Sequence, residues 1–341
     1  MRQILVGTYT GERGGGRGIY RMWREADGAL TQPELVAEQD SPSYLALHPG
    51  GRALYAVAES ADSGVVHYDF VDGRPRLRGR RAIPAGPCHL VVTPSGEAVL
   101  SASYDAGTVN SQPLGVDGGF VGATTSVAGY GSGPDPERQE GPHAHAVAIA
   151  PDGTVLSTDL GADLVRAHRL DAETGTLRPV AAIPLPEGCG PRHVVVHASG
   201  HVYVLTELAG GIAVLAPRSG YADLELLAHE PATRDDVPGD ALGAAIRVSD
   251  DGRFVYTSTR GADLVTTHQV KADGTRLRPV ADVPTGGRWP RDFCVDGQWL
   301  HVANEHSATV CTFRLSPRTG APEPFGDPVP VPSPVCLLPL P

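Results

Sequence analysis

The chain has 341 residues, more than one hydrophobic core usually organises, so either two domains or a repeat architecture is expected. Its 42 glycines and 31 prolines exclude a protein built mainly of long helices, because either residue destabilises a helix interior. The 39 acidic and 28 basic residues give a net charge of -11, which argues against nucleic-acid binding through a basic surface.

One pattern recurs along the chain: a short apolar run, a small polar turn and a second apolar run. Complete copies occupy residues 43–59, 89–104, 145–160, 193–207, 245–260 and 292–305. Residues 4–9 supply a second run without a first, and residues 335–339 supply a first run without a second. Joining the two ends gives seven copies of about 49 residues, a spacing typical of propeller blades with four strands.

The runs in each copy are short, rich in Val, Leu, Tyr and Thr, and broken by Gly, Pro and Asp, as in strands joined by tight turns. We therefore predict an all-β fold, a seven-bladed β-propeller of four-stranded antiparallel blades, with residues 1–341 forming a single domain. Pairing the C-terminal strand with the N-terminal strands would close the ring and remove its open edges.

Two connections, residues 128–142 and 229–243, are longer than the others. The first is rich in Gly and Pro, and the second contains Asp235, Asp236, Pro238 and Asp240. Both precede the first strand of a copy, so we expect them on the same rim of the ring. Long loops without secondary structure of their own are often functional.

Polar residues occupy two equivalent positions in the copies. Near the start of the first strands stand Ser43, Cys88, His145, Arg192, Ala244 and Arg291. At the ends of the second strands stand Tyr9, Glu59, Tyr104, Leu160, Glu207, Arg260 and Glu305. Because a tight turn joins the two strands, both positions lie at the same end of a blade. We predict that they meet at one mouth of the central channel.

The site predicted at this mouth combines imidazoles, carboxylates and arginines. Its members are His145, Arg192, Glu207, Arg260 and Arg291, with His143, His193, Asn304 and Glu305 nearby. A carboxylate and imidazoles among arginines suit an anionic substrate and general acid–base chemistry. A solvated polar rim without chemistry is the alternative interpretation of the same residues.

A metal site is not expected at these residues. His143 and His145 share one face of a strand and could ligate a metal ion. The next copy offers Arg192 beside His193, and an arginine repels a cation. No cysteine or third histidine has ligand spacing, so both histidines are better explained as hydrogen-bonding groups.

Other motifs are weak. The five cysteines are scattered and signal neither a disulfide framework nor a zinc site. Residues 14–18 form a glycine-rich stretch, but no helix pattern follows it, so we interpret it as a flexible hairpin loop and not as a dinucleotide site. Neither a signal segment nor a membrane-spanning run is recognisable. We expect a cytoplasmic protein without a cofactor, and without nucleic-acid or membrane partners.

At the predicted site the chain resembles the seven-bladed lactonase family, to which bacterial 6-phosphogluconolactonases belong. The resemblance spans nearly the whole chain and is carried by Gly7-Thr8-Tyr9-Thr10, Gly141-Pro142-His143-Ala144-His145, Gly190-Pro191-Arg192-His193, Thr206-Glu207-Leu208 and Pro290-Arg291-Asp292-Phe293. It implies a metal-independent enzyme acting on lactone rings, with an active-site group of His145, Arg192, Glu207 and Arg260. Arg247, Ala245 and Thr206 depart from the pattern of the family, which leaves the substrate open.

The favoured hypothesis is hydrolysis of a phosphorylated sugar lactone of the pentose phosphate pathway. Glu207 or His145 would be the base, Arg192 and Arg260 would hold the carboxyl group or oxyanion, and Arg291 would hold a phosphate or second carboxylate. His143, His193, Asn304 and Glu305 would complete the substrate site. The alternatives are a lactonising cycloisomerase of carboxymuconate-type diacids, a lactonase for non-phosphorylated lactones, and a non-catalytic binding propeller. We expect a monomer or a weak homo-oligomer.

Overall fold

The computed structural model describes residues 1–171, 173–237 and 241–341. Pro238 and Asp240, named above in the second long connection, lie outside the described residues. The described part contains three single helical turns, Gly11–Arg13, Leu160–Ala162 and Ala272–Gly274, and its other regular elements are strands. None of the described helical segments is long and apolar enough to cross a membrane.

Twenty-eight strands in the described residues form seven four-stranded sheets, which we call blades 1 to 7. Blade 1 consists of β28 (Pro334–Pro339), β1 (Arg2–Thr8), β2 (Gly18–Arg24) and β3 (Glu34–Glu38). Blade 2 consists of β4 (Leu45–Leu47), β5 (Ala53–Ala58), β6 (Gly64–Val71) and β7 (Arg74–Ala82). Blade 3 consists of β8 (Pro87–Val92), β9 (Ala98–Ser103), β10 (Thr108–Pro113) and β11 (Thr125–Ala128).

The other four blades follow in chain order. Blade 4 consists of β12 (Ala144–Ile149), β13 (Val155–Asp159), β14 (Leu164–Leu170) and β15 (Leu177–Pro184). Blade 5 consists of β16 (Pro191–Val196), β17 (Val202–Thr206), β18 (Gly211–Pro217) and β19 (Leu224–Pro231). Blade 6 consists of β20 (Leu242–Val248), β21 (Phe254–Arg260), β22 (Leu264–Lys271) and β23 (Arg276–Pro284). Blade 7 consists of β24 (Pro290–Asp296), β25 (Trp299–Asn304), β26 (Thr309–Leu315) and β27 (Pro322–Pro330).

The blades form a closed ring with one strand of each facing the centre. Neighbouring inner strands contact one another in the order β28, β4, β8, β12, β16, β20, β24 and back to β28. The last strand closes the ring by antiparallel pairing with β1, with Leu5 opposite Leu338 and Val6 opposite Leu337. The structure thus confirms the predicted seven-bladed propeller and its closure by the C-terminal strand.

The hydrophobic core lies between neighbouring blades. Between blades 4 and 5, Leu156 and Val165 pack with Val204 and Leu215 in one buried cluster. Each of the other six neighbouring pairs has a similar cluster within the described residues. Since both faces of every blade are covered in this way, the inner strands are held firmly and can carry a polar site at their ends.

A β-bulge recurs near the start of the inner strands. In β12 one extra residue stands between Ala144 and Ala146, and that residue is His145. Equivalent shifts of register occur in β8, β16, β20, β24 and β28, and they include Cys88, Arg192 and Arg291. A bulge re-aims a side chain. The repeated bulge therefore turns equivalent side chains towards the same end of the channel.

Buried neutral histidines inside the blades make the fold sensitive to acid. Burial lowers the pKa of His168, His268 and His301 to about 4. His268, for example, is fully buried and shares a hydrogen bond of 3.0 Å between Nε2 and Thr257 Oγ1. A histidine whose pKa is lower in the folded state stabilises the fold above its ordinary pKa, and this stabilisation is lost as the pH falls.

We expect the free energy of unfolding to decrease between about pH 6.5 and pH 4, on the order of 3 kcal/mol for each such histidine. Denaturant unfolding measured at pH 7, 5.5 and 4.5 checks this. His268→Asn should make the pH dependence shallower, whereas replacement of the exposed His306 should not. Unchanged stability from pH 7 to 4.5 would contradict the expectation.

Candidate active site

A small polar cleft opens at one mouth of the channel. Side chains from the bulge positions and from the ends of the second strands line most of it. The lining residues are Tyr9, Ser43, Tyr44, Glu59, Cys88, His145, Arg192, His193, Arg291, Asp292 and Val335. Members of both series of equivalent positions therefore lie together at this cleft, whereas Glu207, Arg260 and Glu305 do not line it.

Glu207 is the centre of a cluster of arginines beside this cleft. Its Oε2 lies 2.9 Å from Arg192 Nε and 2.7 Å from Arg260 Nη2. The contact with Arg192 Nε is an ion pair whose geometry is too bent for a hydrogen bond. Arg138 Nη2 donates a hydrogen bond of 2.6 Å to the other oxygen, Oε1. One carboxylate thus holds three guanidinium groups together.

The charge of Glu207 is firmly fixed. Burial alone would raise the pKa of this carboxyl, but Arg260 and Arg192, with His145 and Arg138, outweigh burial and hold the pKa well below its usual range. Such a carboxylate is a weak base, and it is absent from the lining of the cleft. Its position suits a group that orients arginines better than one that takes a proton from water.

His145 lines the cleft as a neutral imidazole. It projects from the bulge of β12, and its ring lies 5.6 Å from the Tyr104 ring and 5.7 Å from the His193 ring. Burial, with the nearby charge of Arg192, lowers the pKa of His145 well below its ordinary value. The ring is therefore unprotonated at neutral pH, and the lowered pKa makes it a weaker base than an ordinary imidazole.

Arg192 connects the cleft with the Glu207 cluster. Its Nη1 donates to the carbonyl oxygen of Ala244 and lies 3.2 Å from His193 Nε2, which acts as the acceptor. Burial and the positive charge of Arg260 lower the pKa of Arg192 to about 10, so it stays charged at neutral pH. Within the described residues, Nη2 has no hydrogen-bond acceptor and remains free for a ligand.

Arg291 and Tyr9 form another part of the cleft lining. Arg291 Nη2 donates a hydrogen bond of 2.5 Å to the Tyr9 hydroxyl, and Nη1 lies 3.6 Å from Glu305 Oε2. The Tyr9 hydroxyl donates in turn to Glu59, which also accepts a hydrogen bond from Ser43. The cleft therefore has a second, partly buried arginine, which pairs with Glu305 and not with Glu207.

Two residues expected at the site have other surroundings. Asn304 is buried and donates from Nδ2 to the carbonyl oxygen of Thr285, at 3.2 Å, and to Cys311 Sγ. His143 stacks on the Tyr104 ring at 4.3 Å, and its Nδ1 lies 3.0 Å from the Tyr104 carbonyl oxygen. Neither side chain lines the cleft. Asn304 therefore packs within blade 7, and His143 lies against the face of the Tyr104 ring.

Sequence reasoning missed Arg138 as a site residue. It lies on the long connection 128–142, and besides Glu207 it also contacts the Tyr104 hydroxyl, at 3.4 Å. The only sequence signal for Arg138 was its place on this connection, which was expected on the rim of the ring. Tyr9 and Glu59 were recognised as equivalent positions but not assigned to the site.

No group of three or more histidine, cysteine, aspartate or glutamate side chains in the described residues is arranged to hold a metal ion. The five cysteines are free thiols, and Cys88, the one at the cleft, has its pKa raised by burial. The chemistry that the site itself offers is electrostatic binding by arginines and proton transfer by an imidazole.

Comparison with known proteins places this geometry in a family. The profile described as "Lactonase, 7-bladed beta-propeller" matches residues 3–339. A protein of Bacillus subtilis named 6-phosphogluconolactonase is 34% identical over 97% of this chain and 96% of its own length. One of Serratia proteamaculans with the same name is 28% identical over 88% of each chain. The solved periplasmic gluconolactonase of Pseudomonas aeruginosa is 30% identical over 99% of each chain, with a TM-score of 0.92.

The chain belongs to the lactonase family of seven-bladed β-propellers. This membership confirms the resemblance inferred from the sequence and supports lactone hydrolysis as the class of reaction. The named relatives differ in the lactone that their names specify.

Proposed function

We propose that this protein is a 6-phosphogluconolactonase, which hydrolyses 6-phosphoglucono-1,5-lactone to 6-phosphogluconate. The observation that carries the proposal is one cleft lined by a neutral His145, a charged Arg192 and a further arginine, Arg291. Ring opening needs a base and a stabilised oxyanion, and a phosphate needs a separate cationic group. The name of the Bacillus subtilis relative agrees with this assignment.

In the proposed reaction His145 accepts a proton from water as the water oxygen attacks the lactone carbonyl carbon. Arg192 stabilises the resulting oxyanion through its free Nη2, since an ionised donor strengthens such a hydrogen bond. Collapse of the tetrahedral intermediate breaks the bond to the ring oxygen. That oxygen takes the proton from His145 and becomes a hydroxyl group. The other product group is a carboxylic acid, which loses its remaining proton to solvent and becomes a carboxylate.

Glu207 acts on this reaction through the arginines. By holding Arg192 and Arg260 at 2.9 and 2.7 Å, its carboxylate keeps Arg192 oriented before the substrate arrives. Preorganised donors need no rearrangement during the reaction. We therefore assign the base to His145 and make Glu207 a positioning residue, a choice that the sequence left open.

The proposal is tested by the decay of freshly prepared 6-phosphogluconolactone with and without the purified protein. We expect strong acceleration, with weaker turnover of glucono-1,5-lactone and none of a carboxymuconate-type lactone. A preference for the unphosphorylated lactone, or decay no faster than in buffer, would overturn the substrate assignment.

We also propose that the enzyme needs no metal ion or cofactor and works in the cytoplasm. Treatment with EDTA followed by gel filtration should leave the activity unchanged. Loss of activity that returns with a divalent cation would contradict metal independence, and recovery of the protein in a periplasmic fraction would contradict the cytoplasmic location.

A further inference from the structure

The connection between β1 and β2 is a closely packed segment at the mouth of the cleft. Four of its residues, Gly11, Gly14, Gly15 and Gly16, are glycines. Gly16 donates its backbone N–H to the Tyr9 carbonyl oxygen at 2.9 Å, and a Cβ on Gly14 would lie only 2.7 Å from the Ser333 Cβ. The glycines thus allow the segment to lie directly against Tyr9. In the structure this segment packs against the wall of the site.

The segment brings the Arg13 side chain into contact with Tyr9 and Glu59, two residues that line the cleft. The Arg13 guanidinium carbon lies 3.9 Å from the centre of the Tyr9 ring, and Nη1 lies 2.7 Å from Glu59 Oε1. Nη1 also donates to the Glu59 carbonyl oxygen at 3.2 Å. Within the described residues, Nε and Nη2 have no acceptor, and 46% of the side chain is exposed. Arg13 therefore offers free charged donors at the mouth.

Arg13 also neutralises the negative charge of Glu59 at the cleft. Glu59 lines the cleft with a side chain that is only 11% exposed, and its other side-chain partners, Tyr9 and Ser43, are neutral. Without Arg13, this carboxylate would repel a negatively charged substrate across a poorly solvated wall. Arg291 donates a hydrogen bond to the hydroxyl of the same tyrosine, so the guanidinium groups of Arg13 and Arg291 both contact Tyr9.

We propose that Arg13 is the residue that makes the site selective for a phosphorylated lactone. Together with Arg291 it binds the phosphate dianion at the outer end of the cleft, while the lactone carbonyl lies at Arg192 and His145. The inference rests on the function proposed above and adds to it the residue that distinguishes a phosphorylated from an unphosphorylated sugar lactone.

The test compares kcat/KM for 6-phosphogluconolactone and glucono-1,5-lactone in the wild type, Arg13→Gln and Arg17→Gln. Arg17 is the matched control, because it lies on the same segment but pairs with Glu38 on β3, and 67% of its side chain is exposed. We expect Arg13→Gln to lower the preference for the phosphorylated lactone roughly 10- to 100-fold, mainly through KM, the range expected for lost charge-assisted hydrogen bonds. Arg17→Gln should keep the wild-type preference.

A second readout is competitive inhibition by inorganic phosphate, whose inhibition constant should rise in Arg13→Gln by a similar factor and not in Arg17→Gln. Equal losses on both lactones, or an unchanged preference, would overturn the role of Arg13. If the wild type hydrolysed neither lactone, the proposed function would fail instead. Calorimetric titration with inorganic phosphate would then still test Arg13, with unchanged binding in Arg13→Gln deciding against it.

Discussion

Glu207→Gln is expected to lower kcat/KM on the preferred lactone on the order of 100- to 1000-fold, the range for loss of a preorganised oxyanion donor. Glutamine matches the size of the side chain but removes the charge shared by Arg138, Arg192 and Arg260. The three guanidinium groups then repel one another, and Arg192 loses its orientation in the cleft. Steady-state kinetics on the purified variant measures the effect.

The same change should destabilise the fold, because removing one partner of a buried ion pair costs about 3–5 kcal/mol. Denaturant unfolding measures this cost. Glu207→Asp retains the charge, so it should keep most of the stability while losing activity through the shorter reach. The control is Glu230→Gln, since Glu230 pairs with Arg276 on the outer strands, and it should leave kinetics near the wild type.

The pH profile of Glu207→Gln separates the two roles considered for this residue. As a positioning residue, its loss lowers the rate at every pH but keeps an acidic limb, moved to lower pH because the Glu207 charge raises the pKa of His145. If Glu207 were the base, the residual activity of the variant would no longer fall with decreasing pH. Near wild-type activity would contradict both roles.

His145→Gln is expected to lower kcat about 100- to 10,000-fold, the usual contribution of a general base. The wild-type rate should be constant at neutral pH and fall as the pH drops through the pKa of His145, because only the unprotonated ring accepts a proton. That pKa lies well below its ordinary value owing to burial and Arg192, so the acidic limb should lie below about pH 6.5. The variant should lack this limb.

A matched control is His197→Gln, since His197 follows β16 at the opposite end of blade 5 and hydrogen-bonds to Ser199. It should show wild-type rates and the wild-type profile. If His145→Gln retained both its rate and its acidic limb, His145 would not be the base. A loss of rate with the limb retained would indicate a binding role.

The fold was predictable because the repeat is regular. A period of about 49 residues orders the strands of every blade, and the split copy at residues 4–9 and 335–339 indicates closure. The convergence of His145, Arg192 and Arg291 followed from the same regularity, because equivalent residues in a ring point to the same place.

The details of the site depend on features without periodicity. Arg138 reaches Glu207 because of the path of an irregular loop, which no repeat specifies. Asn304 is the last residue of β25 and is buried against Thr285 and Cys311, whereas Glu305 follows the strand and pairs with Arg291. A bulge changes the alternation of side chains along a strand locally, and the sequence does not mark where the extra residue stands.

The closure of the ring by β28 has a consequence for how the protein is made. The partner of β1 follows every other strand of the ring in the chain, so blade 1 has an unpaired inner edge until residues 334–339 have been synthesised. Leu5 and Val6, fully buried in the finished ring, stay accessible during that time. Because Val335 also lines the cleft, the cleft is incomplete until the same moment. Closure of the ring and completion of the cleft thus coincide with the arrival of residues 334–339.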